Sequence, residues 1–229
     1  MSLSGKVILI TGSSQGIGKA VALHLASKGA SIVINYNSNS AEADKVVNEI
    51  GSDRAIAIQA DAGNLADLDR LVDTTVARFG KIDVVVPNAG ILPMRDLEST
   101  SEEDFDKTYN LLVKGPYFLA QKAVKHMPAG GRVIFVSSSV LSTSSIGPAY
   151  LLYGSAKGAI EGMTRIMSKD LARKGILGKS EQVLKTVAGF SPFNRIGEPS
   201  EIASVLGFLA GEDSKWMSGQ IVRVNGAMA

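Results

Sequence analysis

Val7-Ile8-Leu9-Ile10-Thr11-Gly12-Ser13-Ser14-Gln15-Gly16-Ile17-Gly18 carries more of the architecture than any other part of this 229-residue chain. The first four residues are an apolar run too short for a helix and rich in β-branched side chains. Such a run reads as a strand buried on both faces. After the glycines, Ile17, Ala20, Val21, His24 and Leu25 fall at helical spacing, and Gly29 stands where that helix stops. A strand, a turn of three glycines and a helix make a site for a dinucleotide pyrophosphate. The glycines let the backbone approach the phosphates, and the helix start offers free N–H groups and a positive dipole end. A Walker-type phosphate loop would need a glycine where Ser13 stands and a Ser or Thr where Ala20 stands, so an NTPase is disfavoured. Three glycines alone could be an ordinary α/β connection, but the flanking strand and amphipathic helix favour the cofactor turn.

The same alternation continues down the chain. Strands are predicted at 31–36, 54–60, 82–86, 131–136 and 220–224. Helices are predicted at 40–50, 65–79, 101–127, 153–174 and 200–210, the long one with a kink where Pro116 cannot donate to the Leu112 carbonyl. No hairpin signal interrupts the series. This is an α/β protein, a single doubly wound parallel sheet with helices on both faces, spanning 1–229 as one domain. Ligands in such sheets lie beyond the carboxyl ends of the strands, where the strand order reverses. Asn35, Tyr36, Asn37 and Ser38 end the second strand, at the place where adenosine ribose is read. An acid there would repel a 2′-phosphate, and these four are neutral, which favours NADP(H) over NAD(H). Residues 37–40 also suit a polar loop capping the next helix.

Composition removes several function classes. The chain is 45% hydrophobic with a net charge of +2, too little to imply nucleic acid. It has no cysteine, and its two histidines, His24 and His126, lie far apart, so a metal site is not expected. Neither a signal segment nor a membrane-spanning run is apparent, which makes a cytoplasmic location the default expectation.

Tyr153 and Lys157 stand four apart and share a helical face. A free tyrosine, with a pKa near ~10, exchanges protons poorly at neutral pH, and a fixed ammonium nearby favours its phenolate. Alone, such a pair is more often a surface pair. Here it follows a serine-ended strand in a chain that already carries a cofactor turn. TGxxxGxG at Thr11–Gly18, Pro87-Asn88-Ala89-Gly90, Asn110, the run Ser137-Ser138-Ser139 and YxxxK at Tyr153–Lys157 together resemble the short-chain dehydrogenase/reductase family in order and near-family spacing. The nearest likeness is to 3-ketoacyl and naphthol reductases.

That resemblance implies a Rossmann-type fold and a cofactor site formed by Thr11, Gly12, Ser14, Gln15, Gly16, Ile17 and Gly18, with the 35–38 segment, Asp61, Asn88, Ala89 and Gly90. Asp61 would meet the adenine amino group, its bland alternative being a helix cap before Leu65. Pro87 replaces the first Asn of the family's NNAG. Tyr153 would exchange the proton with a substrate carbonyl or alcohol, and Lys157 would lower the tyrosine pKa and hold the nicotinamide ribose. Ser138, with Ser139 as the alternative, would bond the carbonyl oxygen, and Asn110 would support a water-linked relay to Lys157. Residues Ile91, Leu92, Met94, Leu141, Tyr150 and Phe193 would line an apolar pocket for a ketone. The two long helices match those that pair subunits in family tetramers, so a homotetramer or homodimer is expected.

The chain departs from the pattern after Gly175. The family continues into a sixth strand and a substrate loop, whereas Ile176-Leu177 runs into Gly178-Lys179-Ser180 with no strand signal. The expectation is that roughly 15 to 25 residues, a strand and a loop, are absent between Leu177 and Gly178. The functional expectation is an NADP(H)-dependent oxidoreductase acting on a carbonyl or secondary alcohol. Its rivals are a cofactor-binding protein without turnover and a family fold used for a non-redox reaction.

Overall fold

Strands covered on both faces read as near-continuous apolar runs, and β1 (Val7–Ile10), β4 (Val84–Val86) and β5 (Arg132–Ser137) are buried at every residue, β5 with the polar Arg132 and Ser137 at its two ends. The computed structural model describes residues 2–143, 145–172, 177–182 and 198–224. With β2 (Ser31–Tyr36), β3 (Ala55–Gln59), β6 (Leu177–Gln182) and β7 (Ile221–Val222), these strands form one parallel sheet in the order β3-β2-β1-β4-β5-β6-β7. The period of two divides their side chains between two cores. Ile8, Ile10, Val84, Val86, Ile134 and Val136 meet α1 (Gly16–Ser27), α2 (Ser40–Ile50) and α7 (Pro199–Ala210). Leu9, Val85, Val133 and Phe135 meet α3 (Leu65–Phe79), α5 (Gly115–Val124) and α6 (Leu151–Ala172). The strand order reverses between β1 and β4, which opens the crevice at their carboxyl ends.

Side-chain caps start the helices around that crevice. Asn39 accepts from the Glu42 N–H at α2, Asn64 accepts from Ala66 and Asp67 at α3, and Ser101 accepts from Asp104 at α4 (Glu102–Tyr109). Asp61 is therefore not the cap of α3. Its Oδ1 instead accepts the Gly63 N–H in a tight local turn. At the opposite end of the sheet Arg54 donates to the carbonyls of Ala26, Ala30 and Ile50, which close the ends of α1 and α2.

Two predicted elements come out differently. The helix expected over 101–127 is three segments: α4, a π-helical turn Asn110–Lys114, and α5. Pro116 sits in the first turn of α5, where its missing N–H is tolerated, so the π-turn absorbs the break that the sequence assigned to a proline kink. The second difference is the sixth strand. Leu177–Gln182 pairs with β5 on one side and β7 on the other, with Leu177 and Gly178 opposite the consecutive residues Arg132 and Val133. The expectation of no strand here is corrected. Parallel ladders use backbone groups that every residue except proline supplies, and an empty slot would leave the edge of β5 unpaired. Tertiary context overrides weak local propensity at this position.

Candidate active site

Between β1 and α1 the chain must turn sharply, and it does so through Gly12 and Gly16, at φ +61° and +56°. A Cβ on Gly12 would lie 2.9 Å from Ala89 Cα, while one on Gly16 would meet open space. Gly12 thus permits close packing of the turn on the next strand connection, and Gly16 leaves room in front of the helix start. Thr11 and Asn88 lock the two crevice walls together. Thr11 Oγ1 accepts from the N–H groups of Asn88 and Ala89, each at 3.0 Å, and Asn88 Nδ2 donates to the carbonyls of Thr11 and Gly12. Unlike α2, α3 and α4, α1 starts with no side-chain cap at Gln15 and no acid in its first turn. An uncapped, acid-free helix start beside two left-handed glycines fits an anionic pyrophosphate. Ser14 is buried, whereas Gln15 is exposed and Ile17 half-buried beside them.

The second-strand residues divide. Tyr36 is half-buried at the end of β2, and Asn37 and Ser38 are exposed just beyond it. Asn35 is buried, with its side-chain amide bonded to the backbone of the turn and of β3, which removes it from direct contact with a ribose. Gly90 is exposed at the far wall, with Leu112 Cδ2 beneath it, and Asp61 is exposed at the end of β3.

At the carboxyl end of β5 the proton-transfer candidates converge. The Tyr153 hydroxyl is hydrogen-bonded to the Ser138 side chain. Ser138 Oγ also accepts from the Val140 N–H at 3.3 Å, at the start of the turn Ser139–Ser142. Ser139 is 1% exposed, and its carbonyl takes the hydroxyls of Ser142 and Thr143, so Ser138 is the serine that meets the tyrosine. Lys157 lies one turn on from Tyr153, 6% exposed, with Nζ donating to the Val136 carbonyl at 2.8 Å and standing 5.8 Å from the Tyr153 ring centre. Burial pulls the Lys157 ammonium down to about 8. Burial also pushes the Tyr153 phenol up, partly opposed by its bond to Ser138. The expectation of a lowered tyrosine pKa is therefore reversed in the protein alone, because desolvation of the phenolate is the larger effect.

Asn110 is half-buried as the first residue of the π-turn, which packs against α6, and its carbonyl accepts the Gly115 N–H in the wide turn. Two further ties leave no trace in the residue pattern. The Val136 carbonyl anchors Lys157, and Ser137 Oγ donates to Glu161 at 3.1 Å, joining the next turn of α6 to β5. A backbone acceptor carries no residue signature. Leu92, Met94 and Leu141 are exposed, Ile91 and Tyr150 are half-buried, and Phe193 lies outside the described residues. Among the described residues no cluster of metal-ligating side chains occurs, and no helix is long and apolar enough to cross a membrane.

The family model described as short chain dehydrogenase matches residues 6–179. This chain belongs to the short-chain dehydrogenase family. It is 36% identical to a probable tetrahydroxynaphthalene reductase of Zymoseptoria tritici over 254 residues, covering 98% of this chain and 95% of the relative. A short-chain dehydrogenase from Burkholderia cenocepacia, solved in complex with NADP, superposes with a TM-score of 0.95 at 29% identity, over 100% of this chain and 99% of the other. Landomycin C-6 ketoreductase, solved with bound NADP and rabelomycin, gives a TM-score of 0.92 at 34% identity, over 99% and 97% of the two chains. As a member of this family the chain is short. The match to the Zymoseptoria relative runs over 254 residues against 229 here, so that relative holds at least 25 positions with no counterpart.

Proposed function

We propose that this protein is an NADPH-dependent carbonyl reductase that converts a ketone on an apolar or aromatic skeleton to the secondary alcohol. The reading is carried by the Tyr153–Ser138 hydrogen bond beside the buried ammonium of Lys157, at the mouth of the crevice. Support for NADPH over NADH comes from the acid-free end of β2 and from solved relatives that hold NADP. Thr11 to Gly18 would hold the pyrophosphate, Tyr36 to Ser38 and Asp61 the adenosine end, and Asn88, Ala89, Gly90 and Lys157 the nicotinamide half. When bound, the cofactor supplies the hydride.

The chain's own residues manage the proton. With its pKa pushed up by burial, Tyr153 keeps its proton at neutral pH and can give it from Oη to the substrate oxygen. Ser138 Oγ, already bonded to that phenol, is placed to donate to the same oxygen and orient it. The Lys157 ammonium stabilises the negative charge left on Tyr153, and Asn110 on the π-turn supports water that restores the proton through Lys157. Exposed Leu92, Met94 and Leu141 suit an apolar substrate face. A probable tetrahydroxynaphthalene reductase and a landomycin C-6 ketoreductase are among the relatives.

NADPH oxidation followed by absorbance against a panel of aliphatic and aromatic ketones tests the reading. Tyr153→Phe is expected to lower kcat by about 10²- to 10⁴-fold, the usual worth of a positioned acid–base group. NADPH binding without turnover on every ketone would sink the reductase and leave a cofactor-binding protein or a non-redox enzyme. One observation favours that second reading: the length deficit. The family match ends at Lys179, within β6, so the deficit falls elsewhere than in that strand.

We also propose that the chain assembles as a homodimer or homotetramer. A groove of about 580 Å³ between α5 and α6 is lined by Tyr117, Val124, Met163, Ile166, Met167 and Leu171. Ile166 in that groove is 73% exposed, an apolar surface that a second copy would cover.

A further inference from the structure

Asn35 is the penultimate residue of β2, yet it is 1% exposed and all its polar atoms are engaged with protein. Oδ1 accepts the Gly12 N–H at 3.1 Å, and Nδ2 donates to the Ala60 carbonyl at 2.9 Å with the Ile58 carbonyl at 3.3 Å. Its backbone N–H donates to Ser13 Oγ, and its carbonyl accepts the Ser13 N–H. The Gly12 N–H shares one rigid peptide plane with the Thr11 carbonyl, and that carbonyl accepts from Asn88 at 2.9 Å. Two asparagines therefore grip a single peptide of the glycine turn from opposite sides. Asn88 reaches it from the β4 side and Asn35 from the β2 side. Asn35 alone continues to the end of β3, one residue before Asp61.

Resting on the cofactor reading above, we infer that Asn35 is a positioning residue for the adenosine half of the cofactor. It touches neither cofactor nor substrate. It fixes the orientation of the Thr11–Gly12 peptide and the separation between the glycine turn and the β3 wall that carries Asp61. A buried amide satisfied at both ends is costly to break, because each orphaned backbone group is left without water.

Asn35→Asp keeps an acceptor for the Gly12 N–H but turns a carboxyl oxygen toward the Ala60 and Ile58 carbonyls, so it cuts the β3 tie. Asn35→Thr shortens the arm and cuts both. Each variant is expected to raise KM for NADPH about tenfold or more, with kcat at saturating NADPH within about threefold of wild type. Inhibition by adenosine 2′,5′-bisphosphate should weaken by the same factor as NADPH. Arg54→Met, which removes the helix-end bonds at the amino ends of the strands, away from the crevice, serves as a destabilised control and should leave the NADPH KM unchanged. In cofactor-free wild type, amide exchange should show the Gly12 N–H protected. An unchanged NADPH KM in the Asn35 variants, an equal rise in Arg54→Met, or fast exchange at Gly12 would each overturn the inference. Failure of wild type to bind NADPH at all would instead overturn the cofactor reading beneath it.

Discussion

Lys157 is a buried ammonium hydrogen-bonded to the carbonyl of Val136. Burial holds its pKa down to about 8, against 10.5 for a lysine in water. Between those two values the unfolded chain binds the proton and the native protein does not, so this group adds stability as pH rises from about 8 toward 10.5. Below about 8 both states are protonated and the full penalty stands, on the order of 3 kcal/mol. Lys157→Met fills similar volume without the charge. It is expected to abolish turnover while matching or exceeding wild-type thermal stability at pH 7. Urea unfolding of both proteins from pH 7 to 10 should show the gap closing as pH rises. A variant less stable than wild type at pH 7 would contradict this account of the lysine. Tyr153, raised by burial, acts in the opposite sense and only above its ordinary value, so the two contributions separate by pH.

At the scale of elements, the π-turn Asn110–Lys114 is the device that joins α4 to α5, with the half-buried Asn110, proposed above to support the proton relay, as its first residue. Its closing residue, Gly115, is fully packed: a Cβ there would run into the Ala62 carbonyl and approach the Asn110 carbonyl at 3.1 Å. The backbone of the β3–α3 connection cannot retreat without dragging the adenosine wall with it. Gly115→Ala is expected to cost about 1–3 kcal/mol or more in chemical denaturation, as overpacking does, and to lower kcat by displacing Asn110. Full activity and stability in that variant would remove the π-turn from the site. The contrast with Gly16, where a Cβ meets nothing, shows that glycines in one chain serve opposite ends. One lets backbone touch backbone, the other keeps a space open.

At the scale of the whole molecule, the groove between α5 and α6 leaves apolar surface uncovered in a single chain. Ile166→Lys places a charge at the centre of that groove and is expected to yield monomers by light scattering, with the secondary structure retained. Native-size assemblies from the variant would place the interface elsewhere. Most of the architecture could be read along the chain. Buried strands announce themselves as Val/Ile runs, amphipathic helices by their period, and Gly51 and Gly80 mark the ends of α2 and α3. The sixth strand could not, because Gly178, Lys179, Ser180, Glu181 and Gln182 carry no strand signal, and only the vacancy between β5 and β7 assigns them one.

From residue order alone came the parallel doubly wound sheet, the glycine turn, and the Tyr153–Lys157 pair on one helical face, since each depends on local spacing. What tertiary structure decided were the choices that depend on distant neighbours. Ser138 rather than Ser139 meets the tyrosine because β5 ends opposite α6. Asn64 rather than Asp61 caps α3. Asn35 braces the turn instead of facing the ribose because three strand ends converge on its amide. The direction of the Tyr153 shift belongs to the same class, since desolvation is set by everything packed around the phenol and by no residue near it in sequence.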